Sequence, residues 1–463
     1  MLGQSTLKLQ KGIVIDSLFI PENKNGTYSI YLPKSFDLTR KWPILLGFSS
    51  KENARDLTKL FSNTAEELGY IVVVANFPEK FSNIKDRSSY ISLFLNHIFS
   101  LFPIHERRVY ALGIDDDAVL SSLLPAAYNT FNGVVAINNS YYYFFDEFVK
   151  LRKDFLYAGV IDYKNYRYRD FERIKKYLNR KLITADIYLY DEEISIPPED
   201  VLTKVVTSFT LQDMLKGKIE MDTLWVKNQF DKDQMAIDSL VKEKSLVTAY
   251  EELRSMRKKY HLFFDISNLK EQQKKIRKTS EYRKERRLQV KYKNQELFLR
   301  EQLRLSLEED ALLVQYKNLG WWQYKVDGFT KMMKTQEKYA STMAIRMSDF
   351  IKELVIGYKL ENRVKGKIKE KEIEERKIFL NMLSTIVDPQ DYESYKNVIS
   401  LCAIDQDTAT SLFYLEKMLK NGYSDLDGLY TIEGTLNLKI SKEYNTLVKK
   451  YLGTSKYFSF IDP

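Results

Sequence analysis

Three consecutive carboxylates, Asp115-Asp116-Asp117, stand between an apolar run and a helix-forming run. The apolar run, Arg108–Gly113 (RVYALG), reads as a buried strand. Ala118–Tyr128 reads as a helix that Pro125 would kink. At such a strand–turn–helix junction a G-x-S-x-G elbow holds a nucleophilic serine in a strained turn, with small neighbours keeping the backbone clear. Gly113 is in place, but Asp115 stands at the serine position and Asp117 at the second glycine. A nucleophilic Asp115 would form an ester whose hydrolysis needs a histidine to activate water. Of the three histidines, His97 falls in a helix before the turn, His105 precedes the strand and His261 lies in the second half of the chain. The acidic run has two other readings. One is a helix N-terminal cap, in which each charge gains about 0.3–1 kcal/mol from the helix dipole. The other joins it to Asp162 and Asp191–Glu193 as an oxygen-only pocket for Ca²⁺ or Mg²⁺. Three adjacent carboxylates cannot all point inward, so neither a metal nor another cofactor is expected.

The surrounding elements are read from periodicity and punctuation. Gly12–Pro21 and Thr27–Leu32 form two strands of a hairpin around Asn25-Gly26. Trp42–Phe48, Tyr70–Asn76, Gly133–Asn138, Phe155–Ile161 and Ala185–Tyr190 are further strands. Asn53–Leu68 (stopped by Gly69), Ile84–Phe102, Tyr168–Leu178 and Glu199–Thr210 are helices. Unbroken apolar strands alternating with helices predict an α/β domain with a mostly parallel sheet covered on both faces. Sites in such sheets form at the carboxyl ends of the strands, where Asp115 and Asp162 fall.

The order YSIYLPKSFD, KWPILLGF, AEELGYIVVVAN, RRVYALG, NGVVAIN and IDYKNY resembles the alpha/beta-hydrolase fold over about Gly12–Leu215. It is closest to carboxylesterase/phospholipase-like members found in the envelopes of certain Gram-negative bacteria. The resemblance implies an elbow near GFSGGA where this chain reads GIDDDA. It implies an acid at Asp162 and a histidine after the last strand, in a turn that here runs Tyr190–Pro198. Ile194 occupies that histidine position. Two of the three triad members are therefore missing, and removing even one costs about four orders of magnitude in rate. No catalytic residue is expected, and the domain reads as a pseudo-hydrolase.

Eight of the ten prolines lie at or before Pro198, none falls between Glu199 and Asp388, and no glycine falls between Lys218 and Leu319. Helix interiors reject both residues, so an all-α, repeat-like second half is expected. Leu211–Gln234 is the link. Met235–Lys259, Lys270–Asn318, Trp321–Tyr339, Ala340–Leu360 and Lys365–Ile386 read as antiparallel helices, with Asn268–Leu313 as one long stretch lacking a sustained a/d heptad. Asp391–Cys402 and Asp407–Asn421 read as a helix pair closed by Gly422. Leu419–Tyr423 and Leu438–Val448 make Thr408–Tyr451 resemble the closing unit of tetratricopeptide-repeat arrays, which implies a scaffold presenting a groove to partners. The expected domains are 1–215, 216–386 and 387–463.

The net charge of +9 has one source. Lys270–Arg304 holds 13 basic and five acidic residues, so the rest of the chain is close to neutral. The segment is either a solvated helix face or an arm docking on an acidic protein surface or anionic lipid, with Lys274, Lys275, Arg286 and Arg287 as its test residues. The aromatic run Tyr141–Phe145, with Tyr141, Tyr142 and Tyr143 foremost, is either core or a partner patch. Trp321 and Trp322 are core, groove or interdomain anchors. No nucleic-acid module is present, so no nucleic-acid partner is expected. A single cysteine excludes an internal disulfide framework, and no apolar run approaches the ~18 residues a transmembrane helix requires. Met1–Gln4 fit either a cytoplasmic start or the remnant of a cleaved export signal. The resemblance implies a periplasmic or outer-membrane-associated site, with the cytoplasm as the alternative. The expected function is a non-catalytic scaffold or accessory subunit of a bacterial cell-envelope protein assembly. The alternative is a divergent, serine-independent esterase or peptidase.

Overall fold

The computed structural model describes residues 9–20, 23–50, 53–77, 84–146, 149–192, 196–361 and 370–457. The chain divides into two units, Met1–Arg287 and Leu288–Pro463.

Among the described residues the first unit carries eight strands: β1 (Val14–Ile20), β2 (Asn23–Tyr31), β3 (Trp42–Ser49), β4 (Ile71–Asn76), β5 (Ile104–Ile114), β6 (Gly133–Ile137), β7 (Leu156–Asp162) and β8 (Thr184–Tyr190). They form one sheet in the order β1-β2-β4-β3-β5-β6-β7-β8. β2 runs antiparallel to β1 and β4, and every other pairing is parallel. Parallel strands need crossovers, and the crossovers cover both faces. They include α1 (Ala54–Leu60), α2 (Ser62–Leu68), α3 (Ile84–Leu101), α4 (Asp116–Ala127) and α5 (Tyr168–Arg180), and α6 (Glu199–Leu215) follows β8.

Strand side chains alternate between faces, so each central strand feeds two cores. Ile44, Leu46, Val73, Ala111 and Val134 pack with Phe94, Ile98 and Ile174 on the α3/α5 side. Leu45, Val72, Val74, Leu112 and Val135 pack with Leu57, Ala65, Val205 and Phe209 on the α1/α6 side. Fully burying a side chain of this size contributes about 1.5–3 kcal/mol. This two-sided demand explains why the strands read as continuous apolar runs. The strand order, with antiparallel β2, is that of the alpha/beta-hydrolase fold, so the expected α/β class is the observed one.

Several local expectations are corrected. Asn25-Gly26 lie inside β2, because Ile20 already pairs with Asn23. Asn53–Leu68 divides at Phe61 into α1 and α2, and Gly69 ends the second with φ 68°. Leu211–Gln234 is largely helical rather than a link: it holds the end of α6 and the start of α7 (Thr223–Lys242). Asp222 starts α7 by accepting the Trp225 N–H at 2.9 Å. α7 stops before α8 (Leu246–Tyr260) because Lys244 turns to φ 61°. α9 (Ser267–Lys278) is parted from α10 (Ser280–Leu313) by extended Thr279, whose hydroxyl accepts the Tyr282 N–H at 3.3 Å. A chain without glycine or proline still breaks its helices, at residues whose side chains do not announce it.

The second unit is helical. It holds most of α10, then α11 (Leu319–Met333), α12 (Lys338–Glu361), α13 (Glu370–Val387), α14 (Tyr392–Ile404), α15 (Thr408–Lys420), α16 (Leu426–Tyr430), α17 (Leu436–Lys439) and α18 (Lys442–Leu452). One core joins α10 to α13 through Leu303, Leu307, Met347, Ile351 and Phe379. Buried Glu296 pins α10 to α12 by accepting from Arg346 at 2.7 Å. A second core gathers α13 to α18 around Tyr395, Leu415, Tyr430 and Tyr444. Among the described residues no helix is long and apolar enough to cross a membrane.

Candidate active site

β5 ends at Ile114 and α4 begins at Asp116, so Asp115 alone makes the turn. Its backbone sits at φ 50°, ψ −125°, a conformation a non-glycine residue adopts only under strain of about 1–3 kcal/mol. Two hydrogen bonds fix it: the Asp115 N–H donates to the Ile137 carbonyl at 2.9 Å, and the Asp115 carbonyl accepts from Ala118 N–H at 3.1 Å. Gly113 makes the turn sterically possible. A Cβ there would lie 2.5 Å from Ser121 Oγ and 2.6 Å from Ala118 Cα. Ser121 is itself tied back to the Leu112 carbonyl at 2.8 Å. The elbow is therefore built in full, and its apex carries an exposed carboxylate instead of a hydroxyl.

The neighbouring carboxylates do not gather at that apex. Asp115 is at the N-cap position of α4 but its side chain caps no N–H of that helix, while Asp116 and Asp117 stand in the first turn, where the helix dipole favours acids. Asp117 is 9% exposed and turns to β3: its Oδ2 accepts the Ser50 N–H at 3.1 Å. Ser50 is the first residue after β3. In elbow hydrolases the oxyanion is held by the N–H after the nucleophile and by a second N–H from this β3–helix loop. Here the first amide of that loop, Ser50 N–H, serves a carboxylate, while residues 51 and 52 of the loop lie outside the described residues. Sequence reading missed this contact, although an acid at the second glycine position was its signal.

Asp162 ends β7 and is 5% exposed. Burial pushes its carboxyl above the usual range, opposed by a 2.6 Å hydrogen bond from the Lys164 N–H and reinforced by the negative charges of Asp191 and Glu192. Lys164 in turn pairs with Asp191 at 2.6 Å. Tyr190 donates to Asn138 Oδ1 at 2.7 Å, and burial, with the charges of Asp162 and Asp115, raises its hydroxyl pKa. Ile194 lies outside the described residues, as do Met1–Gln4. Among the described residues no group of three or more His, Cys, Asp or Glu side chains could hold a metal ion, and Glu193 of the acidic group lies outside them.

The histidines are committed elsewhere. His97 Nε2 lies 3.4 Å from the Tyr28 hydroxyl, on the side of β2, three strands from β5. His105 sits at the opposite end of β5 from Asp115, a strand length of about 33 Å at the usual rise. Its Nε2 lies 3.2 Å from the Lys218 carbonyl. Burial depresses both rings' pKa. His261 is exposed after α8, its Nδ1 2.9 Å from the Lys258 carbonyl.

The interaction candidates separate by burial. Tyr143 is core: its hydroxyl donates to the Ser122 carbonyl at 2.6 Å and its ring meets Tyr157 edge-on. Tyr141 and Tyr142 are partly exposed, with the Tyr141 hydroxyl on Asp146 at 2.6 Å. Phe145 is 73% exposed, and Arg173 covers the Phe144 ring at 4.3 Å. Lys274 and Lys275 on α9, and Arg286 and Arg287 on α10, are all exposed, with Lys274 paired to Glu271 at 2.9 Å. Trp322 is fully buried with its indole N–H on Asp310 at 2.8 Å, so it is core and offers no surface. Trp321 is partly buried beside it, with Lys325 over its ring at 5.0 Å.

One buried cluster was not foreseen. Asp213 on α6 accepts from Arg108 Nε at 2.8 Å and from the Tyr110 hydroxyl at 2.6 Å, and Lys218 lies 3.0 Å from it. Arg108 also donates to the Tyr70 hydroxyl at 3.1 Å. Arg108, directly ahead of the apolar run Val109–Leu112, was the available signal. The cluster sits toward the amino end of β5, away from the elbow, and fastens α6 to the sheet.

The strand order and the strained strand-five turn define the fold as alpha/beta-hydrolase. No protein-family model matches the chain, and no curated protein matches it in sequence. Among solved structures it is similar to a thermostable esterase at 12% identity and TM-score 0.31, over 44% of this chain and 62% of that one. It is also similar to the apo S-formylglutathione hydrolase of Staphylococcus aureus at 10% identity and TM-score 0.34, over 43% and 98%. A third similar structure is a putative dienelactone hydrolase of Klebsiella pneumoniae, at 16% identity and TM-score 0.30, over 43% and 98%.

Proposed function

We propose that the hydrolase-type sheet is catalytically silent and that the protein is a non-catalytic scaffold or accessory subunit of a bacterial cell-envelope assembly. The observation that carries the reading is the Asp117–Ser50 contact at an elbow whose apex is Asp115. The turn is kept, strain included, while the groups that would make it a catalyst are exchanged for charges of the wrong sign. The three histidines, each held away from the turn, support the same reading. On this account the fold is retained as a rigid body for display. The basic face of α9 and the start of α10 docks on an acidic partner surface, and the last helices, with their tetratricopeptide-like closing sequence, take a further protein segment.

Co-purification from the native envelope tests this. A defined partner should copurify with the wild-type protein and be lost from a variant with Lys274, Lys275, Arg286 and Arg287 reversed to Glu. Retention of the same partner by that variant removes the basic face from the account. Recovery of the protein alone, without any stoichiometric partner, removes the scaffold reading.

A further inference from the structure

The helix α10 is apolar on two faces, and only one of them is used. Leu303, Leu307 and Ala311 are buried in the core of the second unit. A second apolar row faces outward: Val290, Leu297, Phe298, Leu305 and Leu312, with Phe298 68% and Leu312 64% exposed. Val290 and Leu297 are seven residues apart, as are Phe298, Leu305 and Leu312, so two adjoining rows make one apolar band along a single side of the helix, over a length of about 33 Å at 1.5 Å per residue. A helix burying one face in its own core ordinarily presents a polar face to water. Outward rows of large apolar side chains mark association surfaces.

The charges along the same face identify the occupant. Its amino-terminal end carries Lys291 and Lys293, and its carboxy-terminal end carries Glu308 and Glu309. An antiparallel copy of this helix matches both features. With a two-fold axis at Glu301, Leu297 faces Leu305 of a second copy and Val290 faces Leu312. Lys293 then comes opposite Glu309 of that copy, and Lys291, opposite Ala311, comes within one turn of Glu308. Each pair occurs twice, as an isologous interface requires. At the axis, Glu301 is already neutralised within its own helix by Arg304 at 2.7 Å. A parallel arrangement would set like charges together. An anionic lipid surface would meet Glu301, Glu308 and Glu309 within the row that must insert. The alternating Asn294, Glu301 and Glu308 also explain why no sustained a/d heptad is legible here: the contact is one apolar row against its own reverse.

We propose that α10 is a self-association surface through which two copies of this chain pair antiparallel about Glu301. The inference stands apart from the silence of the elbow, since it uses none of its residues.

Sedimentation of the full chain across a micromolar concentration series tests it, with circular dichroism confirming that each variant keeps its helical content. The wild type should be dimeric, and Leu297→Glu or Leu305→Glu should each weaken self-association roughly tenfold or more. Reversing Lys291 and Lys293 to Glu should weaken it as well, and adding Glu308→Lys and Glu309→Lys to that variant should restore it. A Glu301→Cys variant, near its own symmetry mate, should be joined into dimers by a short bis-maleimide. The native Cys402 is buried, and Tyr324→Cys, at an exposed position outside the row, should not be joined. A monomeric wild type, or a dimer indifferent to both leucine substitutions, overturns the proposal. So does a monomer that binds phosphatidylglycerol vesicles through Leu305.

Discussion

The carboxylate of Asp117 accepts the backbone N–H of Ser50 at 3.1 Å, joining the first turn of α4 to the end of β3. It places a negative charge on the first backbone amide after β3, beside the strained turn at Asp115.

Asp117→Ala should destabilise the protein by about 1.5–3 kcal/mol, the range for a hydrogen bond to a charged group in a poorly hydrated place. Urea unfolding followed by circular dichroism measures it. The variant should gain no esterase activity, because freeing one amide leaves the turn without a base.

Gly113→Ala should be more costly than a glycine substitution in an open loop. Its new methyl would meet Ala118 Cα at 2.6 Å, backbone that cannot swing aside. Overpacking of this kind costs about 1–3 kcal/mol, visible as a lower thermal midpoint. An equal substitution at Gly217 is a poor control, since its φ is 61°. Gly320, with open space and no left-handed φ, is the better one and should be nearly silent.

The Arg108–Asp213 pair should behave as a buried charge pair. Asp213 is fully buried, so Arg108→Ala leaves its charge with only Lys218 and the Tyr110 hydroxyl and should cost about 3–5 kcal/mol. Asp213→Leu alone strands both Arg108 and Lys218, and the double variant Arg108→Met with Asp213→Leu should lose less than the sum of the two single losses. A double-mutant cycle in urea decides it, with a purely additive result contradicting the assignment.

Asp162 gives a pH signature. Burial raises its folded pKa above the unfolded value, so the folded state holds the proton more tightly. The carboxyl therefore favours folding below its unfolded pKa of about 3.9, and this advantage is lost as pH rises through the folded pKa. Asp162→Asn carries no such charge and can still accept the Lys164 N–H. Its stability relative to wild type should improve from pH 4 to pH 7. A difference that stays flat, or moves the other way, would show that the carboxylate is better solvated than its burial implies.

Much of the fold was legible in the sequence. The β5 run RVYALG is apolar on both sides of the strand because Ala111 and Leu112 enter different cores. The elbow was legible from Gly113 and the place of Asp115 between strand and helix. What was not legible was direction: nothing in Asp115-Asp116-Asp117 says that the third acid turns to Ser50 while the first caps nothing. The helix breaks at Lys244 and Thr279 were hidden for a similar reason, since tertiary packing and not glycine or proline sets them. Tyr143 and Trp322 could be read by type as core or as anchors, and each is core, with the Ser122 carbonyl or Asp310 taking its hydroxyl or indole N–H.

The most direct test of the proposal that the elbow is silent is turnover by the pure wild-type protein. It should be assayed on a panel of p-nitrophenyl esters and thioesters, with intact-mass analysis after incubation with a fluorophosphonate. The expected result is no hydrolysis above the buffer rate and no added mass. Hydrolysis that is abolished by Asp115→Asn would contradict the account, because the carboxylate at the apex would then be a working nucleophile.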